Sequence, residues 1–490
     1  MIGTLNGLLW GNGMLILIFG VGLIMSITMG FPQIRKIPTM IKLLFNGKES
    51  DNGLSSFQAF TLAIAGRVGT GNIVGVATAV GFGGPGALFW MWCTALIGAS
   101  LAYVEAAMSQ LHKRRIDGEY KGGWVYYFHD KLGVVAGCVA ALIFIAVQCF
   151  TQTWVHTAAM TTALNDAFGI PPLATGIVIS ALLGIIVIGG AKRVGHFAEV
   201  VVPIMSVIYI LMALIVLFAN VTQIPAAFAL IFKSAFGVGP IAGAALGTAM
   251  QWGVKRAIFS SEIGFANASA PAASAEVSHP AKQGLVQAFS VYVDTLFVCT
   301  ATGLTLVITG CYNVTSPDGT FLFTGISESI PAGSGWVMEA FSTVFGFAPQ
   351  FVGIALFFFA FTTILNQNYS ANTYMSWFFR DKEVQPMWSK WVVNIIYLVC
   401  PIIGAFFTMQ GAWDVGDVGI GLTVWVNTLF LIFFGLVPCR KLLKNFEMHQ
   451  KAGEDEIFDP DEFEGETFDN ADLDLWRDIR DGYRKGALKE

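Results

Sequence analysis

The chain has 490 residues, of which 55% are hydrophobic and 12% are charged, and its mean hydropathy is +0.64. This composition is that of a membrane protein and excludes an ordinary soluble domain. The formal net charge of −5 comes largely from the C-terminal segment, so it gives no indication of a nucleic-acid partner.

Eleven apolar segments recur along the chain, each with a length of about 18 to 25 residues, which crosses ~30 Å of hydrocarbon as a helix. We therefore predict an all-α polytopic membrane protein with eleven transmembrane helices. The first segment is expected to be retained, because it lacks the basic start and the cleavage site of a signal peptide. The segments are residues 8–30, 55–80, 84–110, 134–160, 173–190, 197–219, 240–265, 283–310, 350–379, 391–407 and 415–437.

Lysine and arginine predict the orientation of these helices. Basic residues cluster after the first, third, fifth and seventh helices and between the ninth and tenth, whereas the opposite loops contain only Lys233. Loops rich in lysine and arginine remain in the cytoplasm. We therefore predict that the N-terminus lies outside the cell and the C-terminus in the cytoplasm. The expected location is the plasma membrane, which in bacteria is the inner membrane.

The segments also predict the domain boundaries. We expect an extra N-terminal helix and basic loop (1–50), a first five-helix unit (51–225), a second five-helix unit (226–445) and an acidic cytoplasmic tail (446–490). Two units of five helices have opposite orientations, as in inverted-repeat transporters. The tail is expected to be a solvated extension, or alternatively to dock onto a cytoplasmic partner through its aromatic residues. These residues are Phe458, Phe463, Phe468 and Trp476.

The sequence lacks the motifs of the common membrane enzymes and pumps. It has no Walker A motif, no histidines at metal-ligand spacing and no nucleophile elbow. The seven cysteines are scattered and are expected to be packing residues. An enzyme is therefore not expected, and transport or sensing remains.

The stretch AGRVGTGNIVG (65–75) interrupts the second apolar segment with glycine and polar residues. In a bilayer a helix can unwind only where the freed backbone groups face protein or a cavity. Amides that begin the second half-helix favour a carboxylate, and carbonyls that end the first half favour a cation. The alternative is that Gly71 and Gly75 only allow close helix packing, but Arg67 and Asn72 beside them need polar partners.

A second interruption lies in the seventh segment, between Gly247 and Ala275. It carries Arg256 and Glu262 together with several glycines, and we assign these two residues and Arg67 to a gating or charge network. Breaks that open each five-helix unit are typical of transporters with the binding site between them.

Five motifs carry a family resemblance: GTGNIVGVATA (69–79), GGPGALFWMW (83–92), GVKRAIFSSEIG (253–264), HPAKQGLVQ (279–287) and FAFTT (359–363). With them the sequence resembles the alanine-or-glycine:cation symporter family of the amino acid–polyamine–organocation superfamily. The resemblance implies sodium-driven import of a small neutral amino acid, alanine or glycine. It also implies a leucine-transporter-like 5+5 inverted repeat, here preceded by one extra helix.

The resemblance further implies a substrate site. Backbone amides of Thr70 and Gly71 would hold the substrate carboxylate, and Asn72 would brace the turn. Gln152, or less directly Gln148, would contact the substrate amine. Phe259 and Ile263 would limit the size of the substrate side chain.

A sodium site is implied as well. Carbonyls of Ala65 and Val68 and hydroxyls of Thr362 and Thr363 would bind Na+. The alternative for the two threonines is hydrogen bonding to their own helix.

Three departures from the family pattern make the predicted pocket more polar. Arg67 lies where a second sodium position is expected. Its guanidinium could take the place of a mobile cation, or it could pair with Glu262, Glu105 or Asp294, and we hypothesise that it reduces the sodium stoichiometry to one. The second departure is the pair Asn366 and Gln367, and the third is Ser261. A more polar pocket makes a somewhat larger or polar neutral amino acid an alternative substrate to alanine. A sodium-independent exchanger and a sensor that signals through the acidic tail are the remaining alternatives.

Overall fold

The computed structural model describes residues 2–45, 53–238, 246–382, 384–463, 468, 470–486 and 488, and most of these are helical. In chain order the helices are α1 Ile2–Met29, α2 Pro32–Arg35, α3 Ile37–Phe45, α4 Ser56–Arg67, α5 Gly71–Gly83, α6 Ala87–Leu111, α7 Trp124–Leu132, α8 Val134–Phe168, α9 Pro172–Val187, α10 Gly190–Ala219, α11 Val221–Ala235, α12 Leu246–Ser261, α13 Ser269–Ser274, α14 Pro280–Thr309, α15 Ser334–Ser342, α16 Ala348–Phe379, α17 Met387–Gly404, α18 Met409–Ala452 and α19 Leu473–Arg484. The helices α5, α8, α14 and α18 contain π-helical turns at Gly71–Gly75, Val147–Gln152, Val293–Cys299 and Leu431–Gly435.

Eight helices in the described part of the chain are long and apolar enough to cross a membrane, and the bent pair α4 and α5 gives a ninth. Nine of the eleven predicted segments coincide with these spans. The fifth and seventh segments coincide with α9 and α12, which have 16 residues each. At 1.5 Å per residue, such a helix is shorter than the ~30 Å hydrocarbon layer. Residues 240–245 of the seventh segment lie outside the described residues, so the count of eleven stays a prediction.

The first break lies between α4 and α5, where the sequence predicted it. The helix α4 begins with a capping box of Ser55 and Gln58, and it ends at Arg67 because Val68 has φ −76° and ψ 87°. The axes of α4 and α5 differ by 49°. The break leaves Val68 and Gly69 between the two helices, in the interior of the protein, and the amide of Gly69 donates to a side chain instead of a helical carbonyl.

The second break begins where α12 ends at Ser261. The next residue, Glu262, has φ 54°, and Gly264 and Ala266 have φ 70° and 65°. A right-handed helix needs a negative φ, so α12 cannot continue through these residues. The left-handed conformation is costly at Glu262 and Ala266 because they are not glycine. The turn leads into the short helix α13.

Two antiparallel hairpins lie outside the helices. In the first, β1 Arg114–Ile116 pairs with β2 Glu119–Lys121, and positive φ values at Asp117 and Gly118 fit the turn between them. In the second, β3 Asn313–Thr315 pairs with β4 Phe321–Thr324 through a bulge.

The expectation that the tail is a solvated extension is wrong for its aromatic residues. Phe458, Phe468 and Trp476 are buried, in a small apolar cluster that includes Leu111 of α6 and Leu442 of α18. The aromatic residues thus pack onto the same chain. The acidic charge does not oppose this packing, because Arg480 lies 2.6 Å from the carboxylates of both Asp459 and Asp461. Residues 464–467, 469, 487, 489 and 490 of the predicted tail lie outside the described residues.

Candidate functional site

Asn72 connects the first break to α14. Its side-chain oxygen accepts a hydrogen bond of 2.8 Å from the amide of Gly69, and its Nδ2 donates to Asp294 at 2.7 Å. The first bond closes the unwound turn, which is the bracing position that the sequence suggested. The second bond is to a residue 222 positions away.

Gly71 lies at a close contact between the two broken helices. A Cβ at this position would lie 2.8 Å from Cα of Ser260 in α12, so no larger residue fits without movement. At Gly75 the nearest atoms to such a Cβ are 3.9 Å away. The packing role therefore applies to Gly71, and it brings the freed amides of the break against the end of α12.

A small closed cavity lies between the two breaks. Its volume is about 10 Å³, which is the space of roughly one water molecule. The predicted substrate residues Gly71, Gln152 and Phe259 line it, together with Arg67 and Glu262 of the predicted charge network. Residues distant in the sequence thus converge at one point, and in this conformation the space is closed.

Other predicted substrate residues lie beside the cavity rather than in its lining. The hydroxyl of Thr70 lies 2.8 Å from Nδ1 of His156. Ile263 packs against α6, where a Cβ added to Gly98 would clash with it. Gln148 is fully buried, and neither of its side-chain polar atoms has a partner.

Several lining residues were not assigned to the substrate site from the sequence. They are His156, Phe265, Gln367 and Ile420. Gln367 attracted attention only as a departure from the family pattern, and the signal for His156 was a histidine inside an apolar segment. Phe265 and Ile420 are ordinary apolar residues, and their positions carry no local signal.

The predicted sodium ligands come together in part. The hydroxyl of Thr363 donates to the carbonyl of Ala65 at 2.9 Å and lies equally close to the carbonyl of Phe359 in its own helix. The hydroxyl of Thr362 contacts only the carbonyls of Phe358 and Phe359, at 3.0 and 3.1 Å. A carbonyl and a hydroxyl oxygen that meet at the end of α4 fit a hard cation such as Na+. Val68 follows the last residue of α4 and is fully buried, and the binding of sodium by its carbonyl stays a prediction.

Arg67 is buried and its contacts are with uncharged groups. Its guanidinium donates to the carbonyl of Ser261 at 2.7 Å, to the side chain of Gln287 at 3.2 Å, and to the hydroxyl of Ser290. In the described part of the chain, no carboxylate lies within the 4.0 Å of an ion pair with it. Direct pairing of Arg67 with Glu262, Glu105 or Asp294 is therefore absent among the described residues, and the alternative, that its guanidinium takes the place of a sodium ion, stays a prediction.

Arg256 does not line the small cavity, and its partners differ from those of Arg67. Its guanidinium lies 3.2 Å from Asp417 of α18 and 4.0 Å from the centre of the Trp413 ring. Lys255 approaches the same carboxylate at 2.6 Å. These residues line a larger open cavity of about 490 Å³.

Asp294 is a further buried group that the sequence did not assign to a site of its own. It accepts hydrogen bonds from Asn72, Ser260 and Thr295. An aspartate inside an apolar segment was the available signal, because an ionisable residue there needs partners.

Membrane-length helices, two broken helices and buried charges around a closed central cavity define a multi-pass membrane transporter. Comparison with known sequences then identifies which kind. The chain belongs to the sodium:alanine symporter family, whose sequence model matches residues 1–460. The resemblance drawn from the motifs and the assignment of sodium as the coupling ion are therefore confirmed, and the family is one of symporters rather than enzymes.

Relatives extend over nearly the whole chain. The protein YrbD of Bacillus subtilis is 44% identical over 464 residues, which cover 94% of each chain. The sodium/proton-dependent alanine carrier protein of Bacillus sp. strain PS3 is 39% identical, with 86% of this chain and 95% of the relative covered. The sodium/alanine symporter AgcS of Methanococcus maripaludis is 34% identical, with 88% and 94% covered.

Proposed function

We propose that this protein imports alanine, and also glycine, together with sodium by alternating access. The observation that carries the proposal is the convergence of the first break, Gln152 and Phe259 on one closed cavity beside the contact between Ala65 and Thr363. Substrate and ion positions at the two ends of one unwound turn allow each to stabilise the other. The names of the relatives support alanine and sodium as the pair.

The substrate carboxylate binds to the amides of Thr70 and Gly71, at the positive end of the α5 helix dipole. Gln152 binds the substrate amine, and Gln148 lies one helical turn away on the same helix. Phe259 limits the substrate side chain from the side of the second break. Ile263 packs against α6 and holds the second break, which follows Phe259 in the chain, in position.

Sodium binds to the carbonyls of Ala65 and Val68 and to the hydroxyls of Thr362 and Thr363. Each hydroxyl can keep its hydrogen on a carbonyl of its own helix, as Thr362 and Thr363 do with the carbonyl of Phe359, while a lone pair of its oxygen binds the ion.

Alternating access uses the open cavity as the outer entrance. Arg256, Asp417 and the rings of Trp413 and Phe259 separate this entrance from the central cavity, and their separation would open the path. The orientation follows from the positive-inside rule, with the N-terminus outside and the C-terminus in the cytoplasm. In this arrangement residues 51–225 and 226–445 form the two five-helix repeats after the extra helix, for a total of eleven.

Uptake of labelled amino acids into proteoliposomes tests the proposal. We expect alanine and glycine to accumulate when sodium is higher outside, and glutamine and leucine not to accumulate, because the Phe259 ring lies where a long substrate side chain would extend. Exchange that continues without sodium would favour the sodium-independent exchanger. A lack of uptake of every amino acid under a sodium gradient would contradict transport.

A further inference from the structure

Four ionisable side chains lie buried around the second break. Glu262 at the break is surrounded by Arg67 of α4, Glu105 of α6 and Asp294 of α14, and these are the charged groups that act on it within the described residues. All four are at most 3% exposed. Three carboxylates therefore share a single guanidinium, and a buried charge that lacks compensation is strongly unfavourable.

The three carboxylates differ in how well they are hydrogen bonded. Asp294 accepts bonds from three donors, and Glu105 accepts bonds from the amide of Ala266 and the side chain of Asn427. Glu262 has one donor, Asn267, whose Nδ2 lies 2.5 Å from Oε1. Its other oxygen, Oε2, is buried without a partner. Glu262 is thus the carboxylate with the least compensation.

Two amide side chains with unpartnered atoms lie on the same side of Glu262 as this oxygen, next to Gly66. Oδ1 of Asn267 and both side-chain polar atoms of Asn366 are buried and have no hydrogen-bond partner. The side chains of Glu262, Asn267 and Asn366 meet at Gly66, which has no side chain. A Cβ added to Gly66 would lie 2.7 Å from Oε2 of Glu262 and 3.2 Å from Nδ2 of Asn267, and it would clash with Nδ2 of Asn366. A half-turn of the Asn366 amide exchanges its nitrogen for its oxygen and directs that oxygen into the same space.

We propose that Glu262, Asn267 and Asn366 form a binding site for one monovalent cation, a proton or a sodium ion, separate from the position at Ala65 and Thr363. A sodium ion would be bound by the carboxylate and the amide oxygens, which are hard ligands. A proton would form an O–H bond at Oε2 of Glu262, and this hydroxyl would donate to an amide oxygen.

The position of the site gives it a role in coupling, and this role rests on the proposed transport function. Glu262 and Gly66 line the closed cavity between the two breaks. A cation at Glu262 neutralises a charge at the wall of the substrate space. Substrate and this second cation therefore favour the same state of the protein.

The number of cations moved with each alanine tests the proposal. Proteoliposomes are held at zero membrane potential with a tenfold gradient of sodium, of protons, or of both, and the final alanine accumulation is measured for the wild type and Glu262→Gln. If sodium occupies the site, the sodium gradient alone drives 100-fold accumulation in the wild type and tenfold in the variant. If a proton occupies it, the proton gradient adds a factor of ten in the wild type only.

Glu105→Gln is the matched control, since it removes a second buried carboxylate that already has two donors, and it should keep the wild-type ratios. Equal ratios in the wild type and Glu262→Gln under both gradients would overturn the cation site, whereas a wild type that accumulates no alanine would overturn the transport function itself.

Asn366→Ala provides a second measurement that does not depend on folding of the Glu262 variant. Binding of labelled alanine to the purified protein is titrated with sodium at fixed pH and with pH at fixed sodium. Because the variant lacks one amide oxygen, the cation concentration that gives half-maximal alanine binding should rise at least tenfold for the cation that occupies the site. The affinity for alanine at a saturating concentration of that cation should not change. Unchanged midpoints in both titrations would overturn the proposal.

Discussion

Arg67 and Arg256 are both buried guanidinium groups, but the structure compensates them differently. Arg67 donates to carbonyl, amide and hydroxyl oxygens, so its charge is spread over neutral acceptors. Arg256 has a direct ion pair with Asp417 and an aromatic face at Trp413. The first arrangement fixes a side chain in place, whereas the second can separate when one helix moves.

Asp417→Asn is expected to destabilise the closed form, because Arg256 and Lys255 would both lose the carboxylate with which they form ion pairs. Removal of one partner from a buried ion pair costs about 3–5 kcal/mol. Thermal unfolding in detergent should show a lower Tm, and alanine uptake should fall. Asp414→Asn is the control, since this half-buried neighbour bonds to Gln410 at the surface of the same cavity. Equal losses in both variants would contradict a specific role for the Arg256 pair.

The two broken helices show which elements could be predicted from the sequence. Glycine and polar residues inside an apolar segment are local signals, and both breaks lie where these signals placed them. The bonds from Asn72 to Asp294 and from Thr70 to His156 join residues 222 and 86 positions apart, which no local pattern encodes. The direction of Ile263 depends on the turn at Glu262, so its side chain could not be placed from spacing alone.

Gly71→Ala is expected to separate α5 from α12, because its Cβ would lie 2.8 Å from the Ser260 backbone. Such overpacking costs about 1–3 kcal/mol. Alanine uptake should fall together with the affinity for alanine, which is measured by binding to the purified protein.

Gly75→Ala adds the same methyl group where it has room, since the nearest atoms lie 3.9 Å away. This control should keep uptake and affinity. A similar loss in both variants would indicate that the glycines contribute only general helix flexibility.

At the scale of the whole molecule, the tail is an integral part of the body. Its backbone bonds to Ser278 through Phe458, and the indole of Trp476 donates to the carbonyl of Leu111. Lys113 lies over the ring of Trp476 at 4.4 Å. The acidic composition of the tail agrees with the exposure of carboxylates such as Asp474, whereas its aromatic residues were the signal for docking, and Phe458, Phe468 and Trp476 dock onto the same chain rather than onto a separate partner.

Deletion of residues 454–490 is expected to lower the Tm, because Leu111, Tyr120 and Leu442 lose their apolar cover. Trp476→Ala should reproduce much of this effect, since truncation of a buried tryptophan costs about 3–5 kcal/mol. Alanine uptake should persist in the truncated protein at low temperature.

Asp474→Ala is the control, because this exposed residue has only a surface ion pair with Arg477 and should change the Tm little. If the protein without residues 454–490 keeps alanine uptake but loses a cellular response completely, the result would instead support the alternative that the tail signals as part of a sensor.

The docked tail also has a consequence for how the protein is made. Its binding surface combines residues from α6, the loop before α14 and the end of α18, which are synthesised at widely separated times. The tail follows those helices in the chain, so it can bind only after they have been synthesised, inserted and packed. A misassembled body would leave the side chains of Phe458 and Trp476 in water, where exposed apolar segments are open to proteolysis. Docking of the tail therefore distinguishes correctly packed molecules from misassembled ones.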